Sequence, residues 1–101
     1  MTTATQTQAI SARVTLCNKR GLHARASNKF IACAGEFDAL VEVTSHNDVC
    51  AETVTADSVM ELLLLGSACG EDITISATGP EAEAAVMALI NLVENRFGEE
   101  C

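Results

Sequence analysis

Four segments of the chain have the patterns of β-strands half buried in a sheet: apolar and polar residues alternate along the first and the last, and the two between them are β-branched runs. The segments are residues 13–17, 40–44, 49–54 and 73–77. The second and third are rich in β-branched residues and flank a polar cluster at residues 45–48, which suits a hairpin turn. We therefore expect these two strands to pair antiparallel.

The segment from His23 to about residue 34 has the three- and four-residue spacing of a helix with one buried face. The glycine at position 35 is expected to end this helix. The side chains expected on its buried face are Ala26, Phe30, Ile31 and Cys33.

Two more helices are predicted further along the chain. The first covers residues 59–65, after the capping side chains Asp57 and Ser58 and before Gly66. The second opens at Gly79-Pro80, because proline is tolerated in a first helical turn that has no acceptor for its N–H. Its expected buried stripe is Ala82, Ala85, Val86, Leu89, Val93 and Phe97.

The elements follow the order β-α-β-β-α-β-α, and an antiparallel sheet with the helices on one side would bury all three apolar helix faces. The prediction is an α+β fold in a single domain of a 101-residue chain. We expect residues 1–10 to form a flexible N-terminal tail, residues 11–98 the domain and residues 99–101 a C-terminal tail. The first ten residues lack the features of a signal peptide, and no stretch is long enough to span a membrane.

Charge and cysteine content narrow the classes of function. A net charge of −8 argues against nucleic acid as a partner, since phosphate backbones are bound by Lys and Arg. The five cysteines are widely spaced with no C-x-x-C pair, which indicates reduced thiols in a cytoplasmic protein. We expect most of them to be small buried residues, and we expect neither a metal nor a cofactor.

The basic residues are not spread evenly. Four of the six, Lys19, Arg20, Arg25 and Lys29, fall within eleven positions, and no acidic residue precedes Glu36. We call these four residues the cationic island. The cluster is either a solvated surface or the place where an anion or an acidic partner surface meets the chain.

His23 lies within this island, at the first turn of the first predicted helix. The first N–H groups of a helix have no internal acceptors, so a phosphate on the ring would find donors there, and Arg25 could add a bidentate contact. A neutral imidazole is also a nucleophile near neutral pH. The alternative is that His23 is a helix cap or a solvated residue, as histidines at helix starts commonly are. His46, in the predicted turn, is interpreted only as a turn residue.

The short helix at residues 59–65 carries apolar side chains around most of its circumference. One sheet cannot bury them all, so Met60 and either Leu63 or Leu64 are expected to face solvent. Beside the cationic island they would form an apolar patch with a basic border, which suits transient protein partners. The alternative is that the last helix buries all of them.

The stretches "NKRGLHARASNKF", "DSVMELLLLG" and "ITISATG", in that order, resemble the HPr phosphocarrier family of the bacterial phosphotransferase system. The resemblance implies a four-stranded antiparallel sheet with three helices on one face, an open-faced sandwich. It also implies that His23 takes a phosphoryl group from enzyme I, which obtains it from phosphoenolpyruvate, and passes it to enzyme IIA proteins. Arg25 matches the arginine that stabilises the phosphate.

The resemblance further implies that Ser58 matches a serine modified by a dedicated HPr serine kinase/phosphorylase in many members. Asp57 and Glu61 flank it here, where relatives often have a basic residue and a glycine, and both would repel a phosphate. A plain N-cap is the alternative for Ser58. Ala26 replaces a proline common in relatives, which adds an N–H to the first helix.

Three functions remain open on the sequence. The first is a monomeric carrier within a phosphotransfer chain, in either the sugar or the nitrogen-related branch, rather than a free-standing enzyme. The second is a regulatory binding module of the same fold that docks to kinases or transporters according to its phosphorylation state. The third is a hydrolase that uses His23 with a cysteine, but the sequence contains no oxyanion loop and no second positioned acid or base for it.

Overall fold

The computed structural model describes residues 9–46 and 52–99, and these residues form one antiparallel sheet and three α-helices. The order of elements agrees with the order β-α-β-β-α-β-α predicted from the sequence, and the α+β class is confirmed. The elements are β1 (Ile10–Thr15), α1 (Ala24–Ala34), β2 (Leu40–Ser45), β3 (Thr53–Thr55), α2 (Val59–Leu65), β4 (Asp72–Thr78) and α3 (Ala82–Glu94), followed by a C-terminal turn of 3₁₀ helix (Arg96–Gly98).

The four strands lie in the order β1-β4-β2-β3, and each neighbouring pair is antiparallel. The predicted pairing of the two middle strands is confirmed, with Val43 opposite Val54. Residues 47–51, which include the second half of the predicted turn and the start of the predicted third strand, lie outside the described residues. Alternate side chains of β2 and β4 are buried beneath the helices, as the period of two in their sequences requires.

The helices bury most of the predicted residues, with one difference in α1. Its buried side chains are Ala26, Ser27, Phe30 and Ala34, whereas Ile31 and Cys33 are only half-buried. The expectation that most cysteines are buried is wrong for the described ones, because Cys17 and Cys69 are exposed and Cys33 is only half-buried. Cys17 lies just after β1, and its Sγ lies 3.5 Å from the Val93 carbonyl oxygen at the end of α3. Cys50 and Cys101 lie outside the described residues.

The last helix starts later than predicted, at Ala82 with Glu81 as its N-cap. Gly79-Pro80 forms a turn instead, because the Glu81 N–H donates to the Asp38 carbonyl oxygen at 3.1 Å and the Glu81 carboxylate accepts from the Asp38 N–H at 2.7 Å. These bonds anchor the turn to the β2 side of the sheet. The predicted stripe on this segment is buried throughout, although Phe97 belongs to the C-terminal turn and not to α3.

The uncovered face of the sheet carries polar side chains. The Arg13 Nε donates to a carboxylate oxygen of Asp72 at 2.8 Å, and the imidazole of His46 lies 2.7 Å from the Thr74 hydroxyl. His46 is therefore part of the surface hydrogen bonding of the sheet, in line with its structural interpretation. Within the described part of the chain, no helix is both long and apolar enough to cross a bilayer.

Candidate functional site

His23 is the N-cap of α1, one residue before the position that the sequence predicted. Its backbone is extended, with φ −75° and ψ −178°, and its carbonyl oxygen accepts the first intrahelical bond, from the Ser27 N–H at 2.8 Å. Its ring is the capping side chain, because Nδ1 accepts a hydrogen bond from the Arg25 N–H at 3.2 Å. The imidazole therefore lies against the first amides of the helix, and Nδ1 is the nitrogen that faces them.

The loop before α1 holds this ring in place. Gly21 has φ +64°, and a Cβ there would lie 2.5 Å from the Ser67 carbonyl oxygen, so only glycine fits the turn. The buried Asn18 side chain donates from Nδ2 to the Gly21 carbonyl oxygen at 2.8 Å, and the Leu22 N–H donates to Ser67 O at 3.1 Å. The backbone just before His23 is therefore held by Asn18 and by Ser67.

An open cavity of about 330 Å³ surrounds the ring. Three of the four residues of the cationic island line it, namely Lys19, Arg20 and Arg25. Lys29 does not, because its Nζ donates to the Phe97 carbonyl oxygen at 2.6 Å and ties α1 to the C-terminal turn. A cavity with three cationic side chains and helix amides suits a small dianion such as a phosphoryl group.

Glu99 is the remaining residue of the cavity wall, and the sequence did not single it out. One carboxylate oxygen, Oε2, lies 2.5 Å from His23 Nε2, and the other, Oε1, accepts from Asn18 Nδ2 at 3.1 Å. Partial burial raises the pKa of Glu99, but the hydrogen bonds from Asn18 and His23 and the positive charge nearby, including that of Lys29, leave the pKa lowered. The carboxylate is therefore ionised at neutral pH and pairs with the imidazole.

The C-terminal turn explains why Glu99 reaches the site although it lies in the predicted tail. Arg96, Phe97 and Gly98 all have positive φ, between 56° and 78°, which turns the chain back toward α1. The turn is anchored by the buried Phe97 ring and by a bond from the Glu99 N–H to the Arg96 carbonyl oxygen at 2.9 Å. Gly98 is the only signal of this turn in the sequence, since non-glycine residues rarely adopt positive φ.

The short helix α2 presents the predicted apolar surface. Met60, Leu63 and Leu64 are 66%, 37% and 75% exposed, whereas Leu62 and Leu65 are buried. The expectation that Met60 and a neighbouring leucine face solvent is confirmed. We call Met60, Leu63 and Leu64 the α2 patch.

Ser58 is the N-cap of α2, as predicted, but its side chain makes no capping hydrogen bond. Ser58 is half-buried, and the neighbouring Asp57 and Glu61 are exposed. Residues 9–46 and 52–99 contain no group of three or more His, Cys, Asp or Glu side chains that could hold a metal ion. The chemistry that this part of the molecule offers is thus that of an imidazole, a carboxylate and cationic side chains.

Comparison with known proteins gives a consistent result. A family model described as the PTS HPr component phosphorylation site matches residues 10–95. The chain is 40% identical over 87 residues to the phosphocarrier protein NPr of Shewanella violacea, covering 86% of this chain and 91% of that protein. It is 39% identical over 85 residues to the phosphocarrier protein HPr of Cupriavidus necator, covering 84% and 91%.

Among solved structures, the fold is similar to that of HPr-C-His from Thermoanaerobacter tengcongensis. The TM-score is 0.82 at 35% sequence identity, and the similarity covers 91% of this chain and 99% of that one. The sequence and fold comparisons therefore both match proteins of the HPr type.

Proposed function

The chain belongs to the HPr family of phosphocarrier proteins, whose members work within the phosphotransferase system, and we propose that it carries a phosphoryl group on His23. In this proposal enzyme I, charged by phosphoenolpyruvate, is the donor and enzyme IIA proteins are the acceptors, all in the cytoplasm. The single observation that carries it is the position of the His23 ring, which caps α1 through Nδ1 and belongs to a residue that lines a cavity together with Lys19, Arg20 and Arg25.

Nδ1 is the atom proposed to accept the group. Its lone pair attacks phosphorus, the bond from phosphorus to the donor's leaving atom breaks, and the electron pair of that bond stays with the donor. The Arg25 N–H, which bonds Nδ1 at 3.2 Å in the free protein, is then released to donate to a phosphoryl oxygen. The Arg25 guanidinium, on the same cavity wall, offers a second, charge-assisted contact.

The partner surface is proposed to combine the cavity rim with the α2 patch. Lys19 and Arg20 are exposed beside His23, and Met60 and Leu64 are among the most exposed large apolar side chains of the described residues. An apolar centre with a basic border suits partners that dock briefly through an acidic rim. Lys29, predicted as part of this surface, is proposed to contribute by holding the C-terminal turn.

Regulation at Ser58 by an HPr serine kinase/phosphorylase is a separate part of the proposal. In its favour, the Ser58 side chain makes no capping bond that modification would break. Against it, a phosphate would stand between the exposed carboxylates of Asp57 and Glu61, which repel it. Incubation with such a kinase and ATP, compared for wild type and Ser58→Ala, decides the point.

The proposal as a whole is tested by intact-mass measurement after incubation with phosphoenolpyruvate and enzyme I, using the sugar-branch and the nitrogen-related enzyme I in separate arms. We expect wild type to gain one PO₃ unit that brief acid treatment removes, and addition of an enzyme IIA protein to remove it as well. His23→Ala should gain nothing. An acid-stable gain, or the same gain in His23→Ala, would contradict the proposal, and the arm with the faster gain identifies the branch.

A further inference from the structure

The two nitrogens of the His23 ring have different partners. Nδ1 faces the amides of α1, and Nε2 contacts the carboxylate of Glu99. We propose that Glu99 is a positioning residue for phosphoryl transfer: it holds the proton on His23 Nε2, keeps Nδ1 as the nucleophilic nitrogen, and balances the charge of the phosphorylated ring. The inference rests on the proposed function, because it assigns a role within that reaction.

The two contacts of the ring specify one tautomer. Nδ1 lies 3.2 Å from a backbone N–H, which can only donate, so Nδ1 must offer its lone pair. Nε2 lies 2.5 Å from an ionised carboxylate, which can only accept, so Nε2 must carry the hydrogen. The partners on both sides of the ring thus leave the reactive lone pair on the nitrogen that points at the helix amides.

The charges through the reaction favour the same assignment. When the Nδ1 lone pair forms the bond to phosphorus, the ring becomes positively charged and its N–H stays on Nε2, where Glu99 accepts it. In the return step the bond between Nδ1 and phosphorus breaks, its electron pair returns to Nδ1, and a neutral imidazole leaves. No proton has to enter or leave the ring in either direction, provided that Nε2 remains protonated.

Two contacts hold Glu99 in this position, and the cavity around it is cationic. Asn18, whose side chain is fully buried, donates to the second carboxylate oxygen at 3.1 Å. The backbone turn before Glu99 is tied to α1 by Lys29. Lys19, Arg20 and Arg25 line the same cavity, so an anion beside the ring meets an excess of positive charge even with Glu99 present. The lowered pKa of Glu99 is consistent with this setting.

The test compares wild type with Glu99→Ala, Glu99→Gln and the control Glu94→Gln, which removes one exposed carboxylate that does not line the cavity. The first readout is the ¹⁵N spectrum of the His23 ring at neutral pH. We expect wild type to show the tautomer with hydrogen on Nε2, Glu99→Gln to keep it through the amide oxygen, and Glu99→Ala to mix in the other tautomer. Glu94→Gln should match wild type.

The second readout is the rate of phosphoryl transfer from the loaded protein to an enzyme IIA protein. Loss of a hydrogen bond to a charged group predicts a rate about tenfold or more lower for Glu99→Ala. Partial rescue is expected in Glu99→Gln, which keeps the acceptor and loses the charge. A wild-type tautomer and rate in Glu99→Ala would overturn the inference. If wild type takes no phosphate at all, the proposed function fails, while the ¹⁵N spectra still decide whether Glu99 sets the tautomer.

Discussion

Lys29 Nζ donates to the carbonyl oxygen of Phe97 at 2.6 Å, and this bond joins the middle of α1 to the turn that carries Glu99. Lys29, which the sequence assigned to a docking surface, therefore helps to hold Glu99 beside His23. The bond spans 68 positions of the chain, so no local pattern could reveal it.

The first prediction concerns this support. Lys29→Met keeps the aliphatic stem and removes the donor, which should lower the free energy of unfolding by about 1 kcal/mol or more and loosen the pairing of Glu99 with His23. Lys19→Met is the matched control, since Lys19 is an exposed residue of the cavity rim. Denaturant unfolding of both variants checks it. Equal stability of the two would show that the bond to Phe97 contributes nothing measurable.

The second prediction concerns the loop that delivers His23 to the helix. Gly21 and Gly66 share a φ of +64°, but a Cβ at Gly21 would meet the backbone of Ser67 and Ala68, whereas nothing lies within 4 Å at Gly66. Gly66→Ala should therefore cost about 1 kcal/mol for the left-handed backbone alone. Gly21→Ala should cost roughly 2–4 kcal/mol, because overpacking adds to that strain. Similar unfolding free energies for the two variants would refute the close approach.

The third prediction is a pH dependence. The pKa of Glu99 is lowered in the folded protein, despite partial burial, by Asn18, His23 and Lys29. A lowered folded-state pKa gives stability that is present above the unfolded pKa, about 4.3, and is lost as the pH falls through the folded value. Wild type should thus be more stable than Glu99→Gln near neutral pH.

That difference in unfolding free energy should shrink in acid, below about pH 4, and Glu94→Gln should show no comparable change between neutral and acid conditions. Urea unfolding at several pH values measures it. A difference that grows toward acid would have the wrong sign for an ionised, paired Glu99.

The fourth prediction separates docking from stability on α2. Leu64→Ser should leave the unfolding free energy within about 0.5 kcal/mol of wild type, because Leu64 is 75% exposed. It should raise the KM of enzyme I for this protein about fivefold or more, because the α2 patch is proposed as a contact surface. Met87→Ser, on the exposed face of α3, changes a side chain that is 64% exposed and should not alter the KM.

Leu62→Ala is the contrasting variant on α2. Leu62 is fully buried, so its truncation should lower the free energy of unfolding by about 2–5 kcal/mol. An unchanged KM in Leu64→Ser would remove α2 from the docking surface. A KM raised equally by Met87→Ser would point to a general surface effect.

The fold was predictable from local patterns because each strand and helix repeats its own period. The buried positions of α3, from Ala82 to Val93, follow from spacing alone. The start of α3 could not be predicted from spacing. It depends on the contacts of Glu81 with Asp38, which join positions 43 apart and exclude Gly79-Pro80 from the helix. The half-exposure of Cys33 likewise depends on how α1 rests on its neighbours, which the spacing within α1 does not fix.

One part of the site could be predicted from the sequence and another part could not. His23, Arg25 and the cationic island are close together in the chain, and their cluster at a helix start was visible in the sequence. Glu99 is 76 positions from His23, and three successive residues with positive φ bring it there. Two of these, Arg96 and Phe97, are residues that seldom adopt such a conformation, so nothing in their identity signals the turn.

The central claim is that the phosphoryl group is carried on Nδ1 of His23, at the amide end of α1. The most direct measurement is ³¹P and ¹⁵N NMR of the ¹⁵N-labelled protein after phosphorylation by enzyme I and phosphoenolpyruvate. We expect phosphorus coupled to Nδ1 of His23, a hydrogen retained on Nε2, and a shifted Arg25 amide resonance. Phosphorus on Nε2, on His46 or on a hydroxyl group would contradict it.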